Sequence, residues 1–295
     1  MKPCETVTRR QAIWRATIFV LWLLLLASLP PLLWAMVFGA HGFPGRPSVL
    51  TPSLIFINDT PLLLAALAAG WLALPRRRRH WSIFRRSIHL AGSPSSLWQG
   101  LASGLALLSL LCVAQVMLHA VKIRFASPVL PDLLLYAPTF LLVAAAEELA
   151  LRGAFLSWLG DAMGFFPALL CSSIAFGMLH WLGSDTPIGA VSAGAIGVFF
   201  GLTLRATGSL WFAIGFHAAW DYGQSALFGC HDSGFASRGA VLQTLPIGPD
   251  WLSGGAAGPE GSALCFALIV ACAGYAIRYR AITCAQPSQS ASRPL

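Results

Sequence analysis

Charge is what this chain has least of. Only 10% of its 295 residues are charged and 11 are acidic, against 57% hydrophobic residues and a mean hydropathy of +0.71. An ordinary soluble domain carries about 25% charged residues. So apolar a chain lacks the polar surface that faces water, which excludes a soluble fold, intrinsic disorder, collagen and coiled coil. Cysteine is scarce and unpatterned. The seven, Cys4, Cys112, Cys171, Cys230, Cys265, Cys272 and Cys284, contain no CxxC and fall mostly inside apolar runs, so neither a disulfide framework nor a zinc knuckle is indicated. No A-x-A-like cleavage site follows the first apolar run, from near Trp14 to Phe38, which reads as a retained anchor. The formal charge of +8 sits in short clusters between apolar runs and not along one face, which excludes nucleic acid as a partner.

What is present is a succession of apolar runs. At about twenty residues per crossing, spans are predicted near 13–38, 54–74, 97–119, 133–158, 166–183, 187–204, 208–228 and 261–280. The fold class is therefore all-α, a polytopic membrane helix bundle of about eight transmembrane helices. Three regions follow: 1–132 as an N-terminal transmembrane region with a basic loop at 75–96, 133–228 as the core that carries the chemistry, and 229–295 as an extracytoplasmic loop, a last helix and a short tail. The Gly-, Pro- and Ser-rich stretch 229–260 is expected to be an exposed loop. With the N-terminus inside, 14 of the 19 Lys and Arg residues fall on one side, 4 on the other, and Arg152 lies within a span. Both termini are therefore expected to be cytoplasmic. The run Arg76 to Arg86, interleaved with Trp81, Ile83 and Phe84, implies a lipid surface, as a topology-fixing loop or a short interfacial helix. Gly189, Ala193, Gly197 and Gly201 recur at every fourth position and predict a bare helix face for tight packing.

An ionisable side chain at membrane depth costs from about 2.5 to well over 10 kcal/mol, so each one demands a reason. Nearly all of them lie in three places: Glu147, Glu148 and Arg152 in the fourth span, His180 in the fifth beyond Phe176, and His217 with Asp221 in the seventh. At about 100° per residue Glu148 and Arg152 share a helix face and form an intrahelical ion pair, while Glu147 points elsewhere. Glu147 is then the freer carboxylate, suited to activating a water. His217 and Asp221 share a face in the same way. The three sites lie roughly 13 to 21 Å from the expected cytoplasmic helix ends, at 1.5 Å per residue, and with helix bounds free to shift by a few residues they can meet at one depth.

In their order, Glu147-Glu148…Arg152, Phe176…His180 and His217…Asp221 resemble the EExxxR, FxxxH and Hxxx(N/D) motifs of the CAAX protease and bacteriocin-processing family of intramembrane proteases. That group includes the type II CAAX prenyl endopeptidase, and the resemblance covers roughly residues 136–228. It implies an intramembrane endopeptidase that hydrolyses a peptide bond in or at the edge of the bilayer without an acyl-enzyme. Glu147 would be the general base, His180 would hold the water, and His217 with Asp221 would stabilise the oxyanion. Glu148, Arg152 and Phe176 would support them. No cofactor is required in that scheme. Because an ionised Asp221 has no proton to donate, the alternative is a Zn2+ site on Glu147, His180, His217 and Asp221. Implied partners are membrane lipid and a membrane-associated or lipidated protein or peptide, and a bacterial inner membrane is the expected location. A transporter or proton relay, or a non-catalytic immunity scaffold, would use the same polar residues differently; no second copy of the motif region supports the inverted repeats common in transporters.

Overall fold

A computed structural model of the chain describes residues 8–38, 49–75, 79–90, 95–183 and 186–285. In chain order these form α1 (Arg9–Phe38), β1 (Val49–Leu50), α2 (Pro52–Ala73), α3 (Trp81–Ser87), α4 (Ser95–Met117) and β2 (Val121–Phe125). There follow α5 (Leu130–Glu148), a π-helical segment (Leu149–Phe155), α6 (Leu156–Met163), α7 (Phe165–Leu182), α8 (Pro187–Thr207) and α9 (Trp211–Tyr222). A π-helical turn (Gly223–Phe228), β3 (Ala236–Ser237), β4 (Leu242–Pro246), α10 (Asp250–Ser253) and α11 (Ala263–Ala285) complete the order. Of the residues singled out above, Cys4 and Arg76 to Arg78 lie outside the described residues.

The chain is an integral, multi-pass membrane protein. Among the described residues, seven helices are long and apolar enough to cross a bilayer, the longest being the continuous run Leu130–Met163. The remaining expected span, 208–228, is helical as well, but it differs in kind. Its 12 residues of α9 and 6 of π turn reach about 27 Å at 1.5 Å per residue, near the thickness of a hydrocarbon core. It carries His217, Asp221 and Gln224, which lowers its hydropathy. The residues Ala213 to Asp221 are all buried, so protein and not lipid surrounds them.

That burial is built from missing side chains. A Cβ on Gly100 would overlap the carbonyl of Phe212, one on Gly104 that of Phe216, and one on Gly215 that of Leu97. The backbones of α4 and α9 therefore touch over two turns, and α4 seats the helix that carries His217. The four-residue stripe on α8 works otherwise. Gly201 makes room for the Leu169 side chain and Gly197 for the guanidinium of Arg152, while the closest backbone approach of α7 and α8 is at Gly177, whose Cβ would lie 2.6 Å from the Ala190 carbonyl.

Helix boundaries follow local chemistry. The Thr186 hydroxyl accepts from Gly189 N–H at 3.1 Å and Pro187 opens α8, while Gly208, at φ +71°, closes it with a left-handed cap. Gly164, at φ +88°, divides α6 from α7.

The stretch 229–260 corrects the expectation of an exposed loop: it is a folded cap. β4 pairs antiparallel with β2, Lys122 opposite Leu245, and β1 pairs with β3. Gln115 Nε2 donates to the carbonyls of Leu252 and Ser253 at 3.1 and 3.2 Å, and Arg238 pairs with Asp132 at 3.0 Å. Cys230, Asp232, Ala240, Ser253, Ala257 and Glu260 are buried. The composition misled because Gly and Ser here make tight turns against helix ends, with positive φ at Gly229, Gly234, Gly239, Gly254, Gly255 and Gly258. The connectors before α2, before α5 and before α11 thus meet at one end of the bundle. At the other end Leu210 N–H donates to the His89 carbonyl at 3.0 Å, and Arg280 donates to the Arg205 carbonyl. There α3 packs Phe84 against Trp71 and Gly70 and leaves Trp81, Ile83, Arg85 and Arg86 exposed, the form of a short interfacial helix.

Candidate active site

The three sequence motifs arrive from three helices, and the structure brings them to the imidazole of His217. Glu147 and Glu148 end α5, just before the backbone widens into the π-helical segment that carries Arg152. π-Helical turns occur frequently at functional sites, because an inserted residue re-aims the side chains around it. The expected ion pair is formed: Arg152 Nη1 donates to Glu148 Oε1 at 2.9 Å, and both side chains are fully buried.

His217 stands between carboxylates. Its Nδ1 lies 3.3 Å from Glu148 Oε1, and its Nε2 lies 3.4 Å from Asp221 Oδ2 and 3.6 Å from Glu147 Oε2. The shared face of His217 and Asp221 on α9 is therefore real, and Glu147 reaches the same ring from α5. Glu147 is also the more open glutamate, its side chain 22% exposed against 0% for Glu148.

Aromatic rings hold this cluster. Phe200 of α8 stacks on His217 with centroids 5.3 Å apart, and Phe176 of α7 meets it edge-on at 6.1 Å. The same Phe176 ring carries the Arg152 guanidinium 4.2 Å above its centroid, a cation–π contact, and packs edge-on against His180 at 4.4 Å. His180 Nδ1 lies 3.0 Å from the Phe176 carbonyl. A carbonyl only accepts, so Nδ1 carries a proton, and in the neutral ring Nε2 then holds the lone pair.

His180, His217 and Asp221 line one cavity between α7, α8, α9 and α11. It offers about 40 Å3 to the centre of a water molecule, room for roughly three waters at about 10–15 Å3 each. Ser233 and Glu260 also line it, and its apolar side is formed by Phe199 and Phe216 with Leu268, Ile269 and Cys272 of the last helix.

Sequence reading missed two buried acids beside Asp221, of which Glu260 lines this cavity. Glu260, before α11, accepts from Trp220 Nε1 at 2.9 Å, and Asp232 accepts from the Ser225 hydroxyl at 2.8 Å. Their carboxylates and that of Asp221 are buried and mutually within 4.8 Å. Burial holds the Asp232 carboxyl up to about 6, against the hydrogen bond from Ser225, which lowers it. The scarcity of acid was the available signal: with 11 acidic residues in the chain, five of them (Glu147, Glu148, Asp221, Asp232 and Glu260) gather here.

The proposed zinc set does not close. Among the described residues, the ligand atoms that lie mutually within 4.8 Å are those of Asp221, Asp232 and Glu260, a group without His180, His217 or Glu147. Tetrahedral zinc with bonds of about 2.0–2.2 Å needs its donors in one tighter shell. The three-carboxylate group is oxygen-only and lacks the imidazole nitrogen that the zinc alternative invokes.

Fold and site together define a membrane-embedded helix bundle with a buried histidine–carboxylate centre. Residues 128–223, about a third of the chain, match the family model described as type II CAAX prenyl endopeptidase Rce1-like. The family whose model matches is the one that the motifs Glu147-Glu148…Arg152, Phe176…His180 and His217…Asp221 resemble. The matched segment holds Glu147, Glu148, Arg152, Phe176, His180, His217 and Asp221, and it ends before Asp232 and Glu260. No curated protein and no solved structure matches the chain.

Proposed function

We propose that the protein is an intramembrane endopeptidase in which Glu147 activates a water without a metal ion. The observation that carries this reading is the placement of His217 between Glu147, Glu148 and Asp221 beside a water-sized cavity. Glu147 takes a proton from the water, and the hydroxide attacks the carbonyl carbon of the scissile bond. The Glu148 carboxylate, 3.3 Å from Nδ1 of His217, holds the ring by charge, so that Nε2 points into the space where the oxyanion forms. The Nε2 lone pair of His180 accepts a hydrogen bond from the same water. Glu147 then passes its proton to the departing amine, and peptide plus water become a carboxylic acid and an amine with no covalent enzyme intermediate.

The substrate is a membrane-associated protein or peptide, and the apolar wall of α8 and α11 accepts the apolar group next to the scissile bond. The basic bias places Arg9, Arg10, Arg15, Arg85, Arg86, Arg205 and Arg278 at the cytoplasmic end. The folded cap and the cavity residues Ser233 and Glu260 then face away from the cytoplasm. The test is substitution with folding held constant. Glu147→Ala inserts and folds but does not cleave, and wild-type cleavage persists in a zinc chelator. Cleavage by Glu147→Ala removes that residue from the role of base, and chelator-sensitive cleavage overturns the metal-free scheme.

A further inference from the structure

Gly197 lies one turn before Phe200 on α8, opposite the π-helical segment. A Cβ there would overlap Nη2 of Arg152 and would lie 3.3 Å from Phe176 Cδ1 and 3.4 Å from Ser173 Oγ. The neighbour it would strike hardest is therefore the tip of a side chain and not a helix backbone, unlike the glycines between α4 and α9.

That tip has few other constraints. Arg152 is fully buried, yet its guanidinium is tied to the protein through Nη1 alone, while Nε and Nη2 have no hydrogen-bond partner. What holds the plane in position is the Phe176 ring 4.2 Å below it, the Phe200 ring 5.9 Å away and the bare backbone of Gly197. From Nη1 the contact runs to Glu148 Oε1 at 2.9 Å, and from the same oxygen to His217 Nδ1 at 3.3 Å.

We infer that Gly197 is a positioning residue for the reaction: its missing side chain is the slot that keeps Arg152, and through it Glu148 and His217, in the working arrangement. The inference rests on the peptidase reading above. A methyl group at 197 pushes on a long side chain that yields readily, so the bundle keeps its fold while Glu148 Oε1 loses its register with His217. Misplacement of a catalytic group by about 1 Å costs up to about a hundredfold in rate.

The experiment is a double-mutant cycle on the full chain in liposomes, with a fluorogenic peptide built on a cleavage sequence found in native membranes. Gly197→Ala is expected to lower kcat by about tenfold or more at unchanged KM. Gly201→Ala, on the same stripe but against the flexible Leu169 side chain, keeps its kcat. Arg152→Lys removes the branch that meets Gly197, so Gly197→Ala combined with Arg152→Lys is expected to lose no more than Arg152→Lys alone. Wild-type kcat in Gly197→Ala, an equal loss in Gly201→Ala, or losses that multiply in the double variant overturn the inference. Should Gly197→Ala alone fail to fold, the double variant against Arg152→Lys still decides: equal kcat supports the slot and a further drop overturns it. A wild type that does not cleave sinks the peptidase reading instead. The same cycle in unfolding midpoints then judges the slot, with coupling in favour and additivity against.

Discussion

Replacing Arg152 by Met keeps most of the side chain's volume and removes its charge, which isolates what the ion pair does. Arg152 and Glu148 are both fully buried and joined at 2.9 Å, so Arg152→Met strands a carboxylate inside the bundle. Breaking a buried pair by removing one partner costs about 3–5 kcal/mol, most of it the penalty of the uncompensated charge. Removing the other charge as well, in Glu148→Gln with Arg152→Met, leaves a neutral amide and a thioether, and the remaining cost is about 1 kcal/mol for the lost hydrogen bond. The two variants should therefore differ by roughly 2–4 kcal/mol in stability, with the double variant the more stable, while both cleave poorly, because Arg152→Met leaves Glu148 without its anchor and the double variant replaces the carboxylate beside His217 Nδ1. Buried thiols supply the assay. Cys112, Cys230 and Cys265 are shielded in the folded chain, so a thiol-reactive fluorophore reports unfolding as the temperature rises. A double variant as unstable as Arg152→Met would refute the argument, because the damage would then come from lost packing and not from a stranded charge.

Three further outcomes follow from the same geometry. Gly215→Ala drives a methyl group into the Leu97 carbonyl, where backbone has no room to yield, and should cost about 1–3 kcal/mol along with the activity that depends on α9; a stable, active variant would show that α4 does not seat α9. Asp232 ionises near 3.8 in the unfolded chain but near 6 when buried, so the folded state loses about 3 kcal/mol of stability as pH rises from about 4 through 6. Asp232→Asn should remove that loss, unfolding later than wild type at pH 7.5 and no later at pH 4.5; an equal difference at both values contradicts it. Ile247→Cys, on the exposed cap, should react with a membrane-impermeant maleimide in intact cells, and Arg85→Cys only after permeabilisation; the reverse pattern would invert the orientation.

Much of this architecture was legible in the sequence, because membrane depth makes each polar residue conspicuous. Runs of about twenty apolar residues gave the helix positions to within a few residues, and i,i+4 spacing gave the pairs Glu148–Arg152 and His217–Asp221. Both pairs are local, so spacing alone decides them. What depended on long-range packing was hidden. The π-helical segment 149–155 leaves no mark in composition, and the stripe on α8 reads in sequence as helix-packing surface, whereas the structure sets Arg152 against Gly197. The cap at 229–260 read as a loop because turn-forming residues look the same whether they face solvent or a helix end. Asp232 and Glu260 were lost with it, since nothing near them in sequence ties them to Asp221.

The central claim, that Glu147 makes this chain a peptidase, is tested most directly by comparing protein termini in native membranes that carry wild type or Glu147→Gln at equal abundance. That comparison needs no prior substrate. Termini present with wild type and absent with Glu147→Gln are the predicted result, and they would mark the cleavage site. Identical termini in both, under several growth conditions, would contradict the account and leave the polar centre as a packing device.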